Sequence, residues 1–408
     1  MSRKKRQQPN PQQQSVDSVN DIEGKLQQAI SFYQTGQLQQ AKQICQQILR
    51  DFPQHAEALH LLGVFAYQVG ENKIATGLIN QAIEIDSNRY VFFNNLGLAL
   101  KEQGKLEGSI QAYQQAIHIQ PGYAEAYNNL GVALQEQGRL EESIQAYHQA
   151  IHIQPDYAST YNNLGLAFKE QGKLEESIQA YQKAIEIQPQ FLAAHYNLGN
   201  VLQEQGRLEE SIQAYHQAIH IQPDYASTYN NLGLAFKEQG KLEESIQAYQ
   251  QAIHIQPDYA DAYSNLGVAL QEQGRLKESI QAYHQAIHIQ PDHANAYNNL
   301  GNALQEQGRL KESIQACHQA IHIQPDYANA YNNLGNALQE QGKLEESIQA
   351  FQRALTIDPN LFEAHSNLIF TQDYHLGIGL KEQQAERQKC NQRFILPLAN
   401  SIQSHPND

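Results

Sequence analysis

Residues 124–157 read AEAYNNLGVALQEQGRLEESIQAYHQAIHIQPDY, and their spacing predicts two helices joined by a glycine turn. Tyr127, Leu130, Gly131 and Leu134 recur three and four apart, which is one face of a helix. Gly138 is expected to supply the left-handed residue that closes it. Glu141 and Glu142 open a second helix, where carboxylates meet the positive end of the dipole. Its apolar stripe is Ser143, Ile144, Tyr147, Ala150 and Ile151, with small residues where the two helices approach. Pro155 ends it by pushing Gln154 out of helical geometry, and Asp156 is expected to cap the helix that follows.

Working outward, Leu134–Gln182 recurs unchanged at Leu202–Gln250, 68 residues later, which is twice 34. A 34-residue frame therefore covers residues 22–361 as ten units, starting at 22, 56, 90, 124, 158, 192, 226, 260, 294 and 328 without insertion or deletion. Residues 1–21 form a basic Gln/Pro-rich leader, expected to be disordered, with Arg3–Arg6 a solvated tail rather than a nuclear address. Residues 362–408 hold a partial eleventh unit that loses the pattern after Asn367-Leu368. Gly377 and Gly379 break it, and the polar run Lys381–Gln392 reads as one more, capping helix that ends before Pro397. Helices of about 12–14 residues are marginal alone in water. A lone hairpin buries one side only, so stability must come from stacking on its neighbours.

Within the frame the fourth place holds Tyr127, the seventh and eighth Leu130-Gly131, the twentieth Ser143, the twenty-fourth Tyr147, the twenty-seventh Ala150 and the thirty-second Pro155. This pattern resembles the tetratricopeptide repeat. The departures are local: Ser at the twentieth place where the family prefers Ala, Cys317 for the second aromatic, Ser87 for the closing proline, and Gln28-Ala29 for the first Leu–Gly pair. The resemblance implies an all-α, right-handed superhelical solenoid of stacked antiparallel helix pairs, its concave face lined by the first helices.

Composition narrows the function. Twenty-eight basic against 43 acidic side chains give a net charge of −15, which argues against a phosphate-backbone binder. Mean hydropathy is −0.61, and no apolar run nears the roughly 18 residues of a membrane span. Cys45, Cys317 and Cys390 make neither a disulfide framework nor a zinc knuckle. The basic N-terminus lacks an apolar segment behind it, so a cytoplasmic location is expected.

The binding face follows from angle. At about 100° per residue, positions 4, 7, 8 and 11 of each first helix cluster, and positions 2, 6, 9 and 13 point the other way. Position 6 is Asn95, Asn129, Asn163, Asn197, Asn231, Asn265, Asn299 and Asn333, with Asn367 in the partial unit. Position 13 includes Glu136, Glu170, Glu204, Glu238 and Glu272. Stacking would align both into ladders along a groove. Carboxamides donate and accept, so the Asn row could grip the backbone of an extended peptide, or it could merely bridge adjacent first helices. The Glu row would favour neutral to basic segments, or be plain solvated surface. Position 9 is apolar at Leu98, Val132, Leu166, Leu234 and Val268, which points to the middle of the array as the contact region.

The second helices carry His pairs four apart: His148/His152, His216/His220, His284/His288 and His318/His322. Each pair offers a metal two ligands on the outer surface with no third at a matching offset, so duplication explains them and no metal or cofactor is expected. No phosphate loop, catalytic triad or strand pattern is found. The expected function is a non-catalytic protein-interaction scaffold that takes extended peptide segments. A second, shorter resemblance lies at the C-terminal side. Phe362, His365, Asn367, Phe370, Tyr374 and His375, followed by a Glu/Arg-rich helix, are similar to the junction before the catalytic domain in SPINDLY-type O-linked N-acetylglucosamine transferases. That likeness implies the alternative of a substrate-recruiting region whose glycosyltransferase domain is missing or lies on another chain.

Overall fold

A computed structural model describes residues 11–375 and 379–396. All regular structure among the described residues is helical, without a strand. The chain divides into two units, residues 1–201 and 202–408. In each, antiparallel helix pairs stack in chain order, one pair packing on the next. The 124 frame gives helices Ala124–Glu136 and Leu140–Ile153, and the 226 frame gives Ala226–Glu238 and Leu242–Ile255. First helices also touch the first helices of adjacent pairs, so in each unit they share one face.

The turn between the helices is closed by glycine. Gly138 takes φ 78°, donates to Gln135 O at 2.8 Å, and lets Arg139 N–H reach Leu134 O at 2.9 Å, satisfying carbonyls the helix leaves free. Arg139 then donates to both carboxylate oxygens of Glu142, at 2.7 and 2.6 Å, and this ion pair holds the Glu142 carboxyl below its usual range. The expected cap by Asp156 is not formed. Tyr157 stands at the N-cap without a side-chain bond, and Asp156 instead offers its backbone oxygen to Ala158 N at 3.2 Å. Where histidine occupies that place a side chain does cap: His55 and His293 Nδ1 accept from Ala58 and Ala296 N, each at 3.3 Å.

The core joint lies between positions 8, 20 and 24. The Tyr147 ring is fully buried against Gly131, where a Cβ would stand 2.5 Å from Tyr147 Cε1. Ser143 Oγ donates to Gly131 O at 2.7 Å, and Ser177, Ser279 and Ser347 do the same to Gly165, Gly267 and Gly335. In these four units serine is therefore a bonded group, which alanine could not be, whereas the Ser109, Ser245 and Ser313 hydroxyls find no partner.

The tyrosine hydroxyl finds a partner only when position 12 is glutamine. Tyr147, Tyr215 and Tyr283 donate to Gln135, Gln203 and Gln271 Oε1 at 3.0, 3.0 and 3.1 Å. Where lysine replaces that glutamine (Lys101, Lys169, Lys237), the buried hydroxyls of Tyr113, Tyr181 and Tyr249 find no hydrogen-bond partner. Tyr147→Phe is accordingly expected to cost about 1 kcal/mol, while Tyr181→Phe should be neutral or slightly stabilising, since an unpaired buried hydroxyl already carries its desolvation penalty. Urea denaturation of the two variants checks the contrast; equal losses would refute it.

The ends depart from expectation. Residues 1–10 of the leader lie outside the described residues, but 11–21, expected to be disordered, are helical within Pro11–Gln34. Proline suits a helix start and the glutamines that follow have good helix propensity, so the helix that packs from Ile22 onward extends backwards. At the other end Phe362–Tyr374 completes a first helix. Leu380–Cys390 and a short π-helical turn, Asn391–Ile395, follow. Gly377 and Pro397 lie outside the described residues.

Candidate functional site

The position-6 asparagines lie half-buried on the first-helix face of each unit. In the first unit Asn129, Asn163 and Asn197 Nδ2 donate to Asn94, Asn128 and Asn162 Oδ1, each at 3.1 Å. Asn95 Nδ2 stands 2.8 Å from His60 Nε2. In the second unit Asn265, Asn333 and Asn367 donate to Asn230, Asn298 and Asn332 at 3.0, 2.9 and 3.1 Å. The oxygens of Asn231 and Asn299 accept from their chain neighbours Asn230 and Asn298, both at 3.2 Å. The row thus bridges adjacent first helices, as one of the two expectations had it. At Asn129, Asn163, Asn197, Asn265 and Asn333 this takes one of the two amide hydrogens, whereas Asn367 gives both, to Asn332 and Asn336. The side chains remain partly at the surface.

A second row runs beside it. Gln135, Gln271 and Gln305 Nε2 donate to Glu170, Glu306 and Glu340 at 2.7, 2.5 and 2.6 Å. Lys101 pairs with Glu136 at 3.2 Å and Lys237 with Glu272 at 3.6 Å. These glutamates, with Glu204 and Glu238, are exposed, so in each unit the first-helix face is acidic though partly neutralised. Leu166 is 38% exposed on it, and Leu234 is half-buried.

The pattern of averaged repeats missed a cavity on this face. A cavity of about 560 Å³ opens on the first helices of the first three pairs, lined among others by Tyr33, Leu61, Val64 and Phe92. Its signal was available as departures from the repeat: His60 where later units have Asn94 or Asn128, and Val91 where Glu125 stands. His60 stacks on Phe92 with centroids 4.4 Å apart. Burial, aided by the Arg89 charge, lowers its pKa to about 4, so the ring is neutral at pH 7.

Little chemistry is on offer elsewhere. Burial pushes the Cys45 and Cys317 thiols up to about 12, which removes their nucleophilic form. The eight paired histidines are exposed, and among the described residues no group of three or more His, Cys, Asp or Glu converges to hold a metal. No described helix is long and apolar enough to cross a membrane.

Residues 3–218 and, in a second overlapping match, 156–366 fit the family model described as the cilia and flagella-associated protein 70 C-terminal domain. No curated protein matches the sequence significantly. Among solved structures, the APC/C hetero-tetramer Cut9-Hcn1 is 15% identical, covering 85% of this chain and 83% of its own, with a TM-score of 0.50. MamA is 25% identical over 41% of this chain and 97% of its own, TM-score 0.38. YrrB, described as a TPR protein with an unusual peptide-binding site, is 22% identical over 46% of this chain and 96% of its own, TM-score 0.39. The first of these likenesses shows a shared tetratricopeptide-type fold.

Proposed function

This chain belongs to the cilia and flagella-associated protein 70 C-terminal domain family, and from its tetratricopeptide-type fold we propose that it is a non-catalytic scaffold whose first-helix face binds extended peptide segments of partner proteins. The observation that carries the reading is the asparagine row. Asn129, Asn163 and Asn197 in one unit, and Asn265 and Asn333 in the other, repeat one bonding pattern at a constant offset. A carboxamide with one hydrogen and one lone pair still open matches a peptide backbone without regard to its side chains. The exposed glutamates beside the row favour lysine- or arginine-bearing segments over acidic ones. On this reading any catalysis, including that of a separate glycosyltransferase chain, lies with the partner. Three unpaired cysteines accord with a cytoplasmic setting.

The test uses an array of lysine-containing extended peptides and the variant Asn163→Ala/Leu166→Asp. Asn128 Oδ1 keeps its bond from Thr160 Oγ1 at 3.1 Å when Asn163 is truncated, and Leu166 is already exposed, so the fold should stand. Binding is expected to weaken about tenfold or more with the melting temperature unchanged. Undiminished binding, with crosslinks confined to the second helices, would remove the assignment.

A further inference from the structure

We propose that the cavity on the first three helix pairs is an anchoring pocket for one large aromatic side chain of a bound peptide, carried between neutral or basic residues. The inference rests on the peptide-binding reading above and adds to it a site of sequence choice. The asparagine row reads a backbone that every peptide has, whereas a pocket selects.

The walls argue for the occupant. Tyr33, Leu61, Val64 and Phe92 give the cavity an apolar and ring-rich lining, and about 560 Å³ exceeds what one aliphatic side chain needs. Ring faces and edges favour an aromatic guest through offset or edge-on contacts. The walls are also held in place before anything binds. Gln68 Nε2 donates to Tyr33 Oη at 3.0 Å, the Tyr33 and Phe65 rings pack at 5.6 Å, and Phe92 carries the stacked His60. A preformed pocket loses less entropy on binding.

The polar rim argues for the flanks. Asn95 can only donate through Nδ2, so His60 Nε2 accepts and its hydrogen sits on Nδ1, a neutral donor. Arg89 is already paired with Glu57 and with Asp86, which leaves no free cation for an acidic ligand. Glu23 and Glu57 make the rim net negative. Asn95 lines the cavity and also heads the asparagine row, so a peptide lying on that row passes the pocket mouth.

The chain contains no tryptophan, so a tryptophan in a probe peptide reports its own burial. The probe is a short Ser/Gln/Gly peptide with one tryptophan between two lysines, mixed with the full chain. Its emission is expected to shift to the blue on binding. The same peptide with alanine for tryptophan, or glutamate for both lysines, should compete about tenfold more weakly. Val64→Asp and, separately, Val91→Lys should abolish the blue shift while circular dichroism shows the helices intact. A probe that does not bind, or binds without a blue shift, or binds Val64→Asp as well as the parent, overturns the pocket. A concentration-dependent dimer lost in Val64→Asp also overturns it, by giving the pocket to a second copy. Asn163→Ala/Leu166→Asp separates the two readings. If it alone weakens binding, the row stands without the pocket; if the blue shift survives it undiminished, the pocket stands without the row.

Discussion

Tyr147→Ala is expected to destabilise its hairpin by about 3–5 kcal/mol and Gly131→Ala by about 1–3 kcal/mol, yet the double variant should cost no more than Tyr147→Ala alone. The reason is that one contact is broken from both sides. The Tyr147 ring is fully buried, so its removal forfeits transfer energy and leaves a cavity. A Cβ on Gly131 would sit 2.5 Å from Tyr147 Cε1 and 2.7 Å from Cδ1, closer than atoms can approach. The ring cannot retreat, because Tyr147 Oη is tied to Gln135 at 3.0 Å and the backbone of Gly131 is pinned by Ser143 at 2.7 Å. Helix propensity favours alanine over glycine by about 1 kcal/mol, which overpacking of this closeness outweighs. Once the ring is gone the clash is gone, and only the propensity gain remains. A repeat stack need not unfold in one step, so hydrogen exchange of the amides in Leu140–Ile153 is the measurement. A double variant whose loss equals the sum of the two single losses would mean that the glycine is required for some reason other than the ring.

Most of this joint was legible before any coordinates. The 34-residue period, the left-handed Gly138, the proline stop and the aromatic at position 24 each follow from one local rule. The serine hydroxyl was not, because an apolar-stripe argument counts Ser143 only as small. The asparagine row was half legible. Angle alone puts position 6 on the far side from the apolar face, and the half-buried placement agrees. That Asn163 reaches Asn128, 35 residues back rather than 34, depends on how far one first helix is displaced along the next. No single-helix periodicity carries that offset.

The pocket escaped for a different reason. Reading by consensus asks what recurs, and part of the cavity lining is made of what does not: His60, Leu61 and Val91 each stand where the later units have another residue. Repetition identifies the fold, and departures from it identify where one unit has a task of its own. The same reasoning applies to the C-terminal helix, whose polar sequence announced a cap and hid what fastens it.

His365→Ala is expected to release the helix Leu380–Cys390 from the stack while the repeats before it stay folded. Both nitrogens of the buried His365 ring face oxygen, Nδ1 at 2.9 Å from Glu386 Oε1 and Nε2 at 3.2 Å from Pro359 O. Their side chains are only 5% and 10% exposed. Other fasteners are polar as well: Arg387 grips both oxygens of Asp373 at 2.6 Å, Gln383 Nε2 reaches Gln372 O at 3.0 Å, and Arg393 donates to Pro359 O at 2.5 Å. Apolar support comes from Phe394, whose ring meets Phe362 and His365 itself at 5.2 and 5.6 Å. Removing the imidazole therefore takes a bond partner and a packing surface together and, among the described residues, leaves Glu386 with the exposed Lys389 at 3.2 Å. Breaking one side of a buried pair costs about 3 kcal/mol or more, which by the conversion of 1.4 kcal/mol per decade is about a hundredfold faster exchange of the helix amides. His365→Ala/Glu386→Ala should be less harmful than His365→Ala, since no carboxylate is then left without its partner. Protection of Leu380–Cys390 that is unchanged in His365→Ala would show that the arginine contacts and Phe394 hold the helix without the buried pair.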